Sequence, residues 1–160
     1  MKHNKTKHLT QGAVIAALYV VLTLLAKLLG LDSGQIQLRF SEALCILPVF
    51  LPAAVPGLTI GCLLSNLLCG NIFWDVIFGT LATLLGAIGT RLVRKNRWLC
   101  CLPPILANTI IVPFVLVYGY GLPGALPFFM LTVGIGEVLS CGLLGQLLYS
   151  LLDKHKNQLF

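Results

Sequence analysis

The chain has 160 residues, of which 58% are hydrophobic and 10% charged, with a formal net charge of +6. A soluble domain carries about 25% charged residues, so this chain has too few to cover its apolar surface in water. The same composition excludes a disordered or collagen-like chain. What remains is an all-α integral membrane bundle in a single domain, and its short basic flanks supply no ordered surface for nucleic acid.

The charges are clustered. No Asp, Glu, Lys or Arg falls at residues 8–26 or 43–74, and from Trp98 to Leu152 the one charged residue is Glu137. A spanning helix takes about 20 apolar residues, and no alternating pattern of about ten residues suggests a barrel. The first predicted helix covers residues 9–29. It starts like a signal peptide, basic then apolar, but the run is too long and no small-residue cleavage site follows. After it, Asp32-Ser33-Gly34 marks a turn, and Gln35-Ile36-Gln37-Leu38-Arg39 alternates polar and apolar, which predicts an extended segment lying over a pocket as a lid.

The second and third helices are predicted at 41–54 and 56–70. Pro48, Pro52 and Pro56-Gly57 interrupt this apolar run, which also reads as one kinked span. The fourth follows at 74–92 and the fifth at 98–118. A Gly-rich connection with Tyr118 and Tyr120 leads to the sixth at 125–152. The cations choose between five spans and six. Lys2, Lys5 and Lys7, the group Arg91, Arg94, Lys95 and Arg97, and the pair Lys154 and Lys156 fall on one side only if there are six. Lys/Arg-rich loops face the cytoplasm, so the expected arrangement is six helices with both termini inside.

Catalytic signatures are missing. There is no P-loop, no G-x-S-x-G and no H-E-x-x-H, and Cys45, Cys62, Cys69, Cys100, Cys101 and Cys141 show no metal-ligand spacing. They read as small packing residues. No enzyme, cofactor or metal is expected.

An ionisable residue at bilayer depth costs about 3 kcal/mol and is a functional hypothesis by default. With six helices, Arg39 and Glu42 fall at the outer mouth of the second and Asp75 near the outer start of the fourth. Asn66 lies in the outer half of the third, and Asn108 and Glu137 lie near mid-depth. A polar pocket open to the outside houses them most simply. Each has a plainer reading as well. Glu42 sits in a first helical turn and three residues from Arg39, Asp75 is placed to cap a helix, and Asn66 and Asn108 can bond helix to helix. Glu137 stands alone in a long apolar run. Three acids against Arg39 suit a cationic or donor-rich ligand, since a carboxylate accepts two parallel N–H bonds from an amidine-like edge. Small residues form a second pattern. Ala13 and Ala17 stand four apart on the first helix, with Gly12 and Ala16 beside them, and such faces let another helix approach closely. The fourth helix repeats the spacing, so packing within the bundle stays open as a reading.

Several segments carry a resemblance. Gly34-Gln35-Ile36-Gln37-Leu38-Arg39-Phe40-Ser41-Glu42-Ala43-Leu44 resembles the "IQ-R-SEAL" stretch of the QueT family. Pro56-Gly57, Gly61-Cys62-Leu63-Leu64-Ser65-Asn66-Leu67 and the run from Asp75 to Leu84 are similar too, and residues 12–21 look like that family's first helix. The resemblance implies a substrate-binding S-component of an energy-coupling factor (ECF) transporter for queuosine precursors: six helices, one small vitamin-like ligand and no ATPase of its own. It implies docking, through the A-x-x-x-A face at Ala13 and Ala17, onto a transmembrane coupling protein that carries two ATP-hydrolysing subunits. The implied ligand is a 7-deazaguanine such as the aminomethyl form, held near the outer side. On physical grounds Glu137 is then expected to take the guanine-like edge and Asp75 or Glu42 the ammonium. Asn108, Asn66, Arg39 and Gln37 complete the candidate site, and Tyr118 or Tyr120 stacks on the base. An S-component for another small vitamin-like cation, or a structural or assembly protein of the membrane, remain as alternatives.

Overall fold

A computed structural model describes residues 2–31 and 37–159. Among these residues the protein is entirely helical, with six helices near the expected positions. They are α1 (Lys2–Leu28), α2 (Phe40–Val49), α3 (Ala54–Leu68), α4 (Phe73–Leu92), α5 (Leu99–Gly119) and α6, which starts at Leu126 and continues to Leu159. The predicted turn at Asp32-Ser33-Gly34 and the lid residues Gln35 and Ile36 lie outside the described residues.

Four stretches are long and apolar enough to cross a membrane: Lys5–Leu28, Phe73–Leu92, Leu99–Gly119 and Leu126–His155. Helices α2 and α3 are shorter than these, at 10 and 15 residues; α3 has its expected length, whereas α2 is four residues shorter than expected. The physical reason is the proline series. Pro48 sits inside the last turns of α2, and Pro52 lies in the break before α3. Helix α1 begins before its apolar run because residues 2–8 contain neither Gly nor Pro to stop it. It ends at Gly30 in the left-handed region (φ 68), where the Leu31 amide donates to the Ala26 carbonyl. Gly70 (φ 69) closes α3 in the same way, through the Asn71 amide and the Asn66 carbonyl.

The centre of the bundle is α2. It is wound as a 3₁₀ helix over all ten residues, although such runs rarely exceed three or four. Ser41, Glu42, Leu44, Cys45, Ile46, Leu47 and Pro48 are all buried, with α1, α3, α4 and α6 packed around them. Both ends are pinned. The Arg39 amide donates to Ser140 Oγ of α6 at 3.0 Å. At the other end Arg91 Nη1 donates to the carbonyls of Pro48 (3.0 Å) and Val49 (3.1 Å). Arg91 belongs to the basic group read above as a loop marker, and here it caps a helix.

Helix α3 lies along α1 at backbone contact. A Cβ on Gly57 would stand 2.7 Å from the Gly12 carbonyl oxygen, and one on Gly61 would stand 2.7 Å from Tyr19 Cβ. The small residues of α1 thus divide between two faces. Gly12 and Ala16 meet α3, whereas Ala13 and Ala17 point away from the bundle and are exposed. The α4 pattern serves internal packing: Gly79, Ala82, Thr83, Gly86 and Thr90 are buried.

Two helices loosen into π turns, at Val115–Gly119 after Pro113 in α5 and at Val138–Leu144 directly after Glu137 in α6. A proline removes one i→i−4 bond and crowds the preceding turn, which accounts for the first. π turns recur at functional sites. At the basic end Arg97 joins α5 to α6. Its Nε donates to Gln146 Oε1 at 2.9 Å, and its guanidinium lies 5.0 Å from the Tyr149 ring centroid. All six cysteines are free thiols, five of them buried and Cys69 partly exposed.

Candidate functional site

The end of the bundle opposite Arg97 holds a polar cavity of about 250 Å³. Helix α1 contributes Tyr19 and Thr23 to its wall, one turn apart on the face that also carries Ile15 and Ala16 inward. The extended residues before α2 bring Gln37 and Arg39, and α2 brings Ser41. Asn66 comes from the last turn of α3, Asp75 from the first turn of α4, and Tyr120 from the connection after α5.

Five residues named from sequence therefore share one wall: Gln37, Arg39, Asn66, Asp75 and Tyr120. They are joined to each other. The Tyr120 hydroxyl donates to Asp75 Oδ2 at 3.1 Å, and Asn71 Nδ2 donates to Asn66 Oδ1 at 3.1 Å. Arg39 Nη2 donates to Gln37 Oε1 at 3.2 Å, and the guanidinium lies in the field of Asp75, Glu42 and Glu137 together. Ser41 Oγ lines the cavity, is buried, and has no hydrogen-bond partner among the described residues.

Glu42 and Asn108 lie beneath the wall, each almost fully buried. Glu42 collects donors: the Tyr19 hydroxyl at 2.7 Å on Oε1, and Cys45 Sγ at 3.1 Å with a long bond from Asn108 Nδ2 at 3.5 Å on Oε2. Burying a carboxylate is tolerable only with such partners. Asn108 also interacts with Glu137, so it stands between the two glutamates.

Glu137 is placed differently. It faces a separate void of about 10 Å³, bounded by Gln37, Arg39, Val112 and Val133. Gln37 and Arg39 thus form a partition with the cavity on one side and Glu137 on the other. Glu137 is 6% exposed, and its Oε2 makes no hydrogen bond among the described residues. Residues 37–39 reach this depth because α6 has a glycine beneath them. A Cβ on Gly136 would fall well inside van der Waals contact of the Gln37 carbonyl oxygen. Tyr118 is outside the site. It is 77% exposed, stacks on Phe114 and lines an apolar groove with Trp74, Phe78 and Ile110.

Sequence reasoning did not single out Tyr19, Thr23, Ser41, Ser65 or Asn71, which also line the cavity. Tyr19 and Thr23 carried a signal, two polar groups spaced by four in the otherwise apolar run 12–26. Asn71 carried none beyond its place in a turn.

The structure is thus a helical membrane bundle with a charged, amide-rich cavity at one end. The chain belongs to the QueT transporter family, whose sequence profile matches residues 9–154. It is 42% identical over 86 residues to a queuosine precursor transporter QueT of Lactococcus lactis subsp. cremoris (strain MG1363). That stretch covers 53% of this chain and 50% of the relative, so the chain spans about half the length of the curated relative it matches. No solved structure matches the chain significantly.

Proposed function

We propose that the protein is the substrate-binding component of an ECF-type importer, taking a queuosine precursor of the 7-deazaguanine class, such as the aminomethyl form, from the outer face of the cell membrane. Family membership and the name of the Lactococcus lactis relative support the substrate class. The observation that carries the reading is the composition of the cavity wall, where Asp75 stands among amides and hydroxyls with two further acids just behind it. At about 250 Å³ the cavity is slightly below the roughly 300–1,000 Å³ of drug-sized sites, which suits a two-ring heterocycle.

In this reading Asp75 neutralises the aminomethyl ammonium, and Asn66, Gln37 and Ser41 meet the ring edges. Tyr120 covers the base from the mouth. Binding is non-covalent, so no residue performs a chemical step, and ATP hydrolysis belongs to partner subunits. Ala13 and Ala17, exposed on α1 with the apolar Val14, Leu18 and Val21 around them, form the face that docks on a transmembrane coupling protein. The basic end, with both termini, faces the cytoplasm.

Isothermal titration calorimetry of the purified protein against 7-aminomethyl-7-deazaguanine tests the proposal. Saturable heat is expected, and Asp75→Asn should weaken binding about tenfold, equivalent to about 1.4 kcal/mol. A well-folded protein that gives no heat with any queuosine precursor overturns the substrate class. Cys69 offers a second readout. It lines the cavity and is the one cysteine that is not buried, so bound ligand should slow its alkylation from outside.

A further inference from the structure

Glu137 shares its void with Arg39, and Arg39 also lines the cavity, so one guanidinium borders both spaces. In the cavity its charge opposes any cationic ligand beside Asp75. Its fixed attachments are slight. The backbone is held by Ser140, but among the described residues the side chain donates one bond, to Gln37, which is itself part of the partition. Across the partition lies a carboxylate oxygen with no hydrogen bond among the described residues, buried beside a water-sized void. Asn108 interacts with this carboxylate but leaves that one oxygen unmet, a buried polar atom without a partner is costly, and Arg39 is the cation that borders the same void. At this depth the attraction between the two is stronger than in water, because the surroundings are poorly polarisable.

We propose that Glu137 is a positioning residue that selects for cationic ligands by drawing the Arg39 guanidinium out of the cavity when a ligand ammonium occupies the place beside Asp75. Glu137 then never touches the ligand. It supplies the counter-charge that lets two cations, ligand and Arg39, share the cavity end of the bundle. The small residue at 136 keeps the backbone of Gln37 low enough for Arg39 to reach across. This inference rests on the proposed deazaguanine specificity.

The test compares two ligands of nearly equal shape, the cationic 7-aminomethyl-7-deazaguanine and the neutral 7-cyano-7-deazaguanine. Binding is measured by calorimetry on the full chain in lipid nanodiscs. Glu137→Gln should lower affinity for the aminomethyl compound about tenfold or more while changing the nitrile by less than about threefold. Combining it with Arg39→Gln should return the aminomethyl-to-nitrile affinity ratio to within about threefold of the unmodified protein, since the repelling charge is gone. Should Glu137→Gln fail to fold, Arg39→Gln alone is expected to raise the same ratio. Equal losses for both ligands, or a double variant that does not recover the ratio, overturns the proposal. If the unmodified protein binds neither compound, the deazaguanine reading falls and this inference with it. If it binds both but the ratio ignores Glu137 and Arg39, the inference alone falls.

Discussion

Tyr19 lies on α1, far in sequence from Glu42, yet its hydroxyl makes the shortest contact that glutamate has, at 2.7 Å. The donors on Glu42 are unequal. A phenol at 2.7 Å is a strong charge-assisted bond, whereas an amide at 3.5 Å contributes little. Removing the phenol should therefore matter more than removing the amide. Tyr19→Phe is expected to cost about 1–3 kcal/mol of stability, the range for stripping a partner from a buried polar group. Asn108→Ala should cost less through Glu42. Thermal unfolding in detergent, followed by circular dichroism, measures the Tyr19→Phe cost, and an unchanged midpoint would contradict this account. The candidate acids were visible in the sequence because a charge in an apolar run stands out, but their partners were not. Nothing in the neighbourhood of Tyr19 announces that α1 turns that ring toward residue 42, for the pairing depends on how α1 and α2 meet.

At the level of elements, α1, α4, α5 and α6 were legible because length, hydropathy and flanking charge all agree. The winding of α2 was not. Its ten residues read as an ordinary apolar helix, and their 3₁₀ geometry depends on anchors supplied by Ser140 and Arg91, about 100 and 43 residues away in the chain. The course of residues 37–39 depends likewise on a gap in another element. Gly136→Ala should leave the helices intact and lift this segment from α6, because the new methyl group would clash with the Gln37 carbonyl oxygen. The expected outcome is unchanged helical content with at least about tenfold weaker binding of the aminomethyl ligand, a loss near 1.4 kcal/mol. Undiminished affinity in that variant would show that the segment is not part of the site.

For the whole molecule, the exposed stripe of α1 is the feature that points outward. Two small-residue patterns overlap on this helix, and spacing alone does not choose between them; the family resemblance pointed to Ala13 and Ala17. Folding separates them, because Gly12 and Ala16 are consumed by Gly57 and Gly61 while Ala13 and Ala17 stay on the surface. A bulky group on the outer stripe should consequently spare the interior. Under the proposed importer function, Ala17→Trp is expected to abolish co-purification with the proposed coupling protein while ligand affinity stays within about threefold, under about 0.7 kcal/mol. Retained assembly would remove this stripe from the docking face.

The shortness of α2 has a consequence for how the chain enters the bilayer. Ten residues at about 2.0 Å each reach about 20 Å, against roughly 30 Å of hydrocarbon. One end of the helix bears Arg39 and Glu42, which a helix on its own would have to carry into lipid unaccompanied. Neither length nor polarity allows α2 to partition as an independent unit during synthesis. Its glutamate gains its shortest partner only where α1 brings Tyr19 against it, so the same packing that seats α2 among its neighbours also forms the base of the cavity.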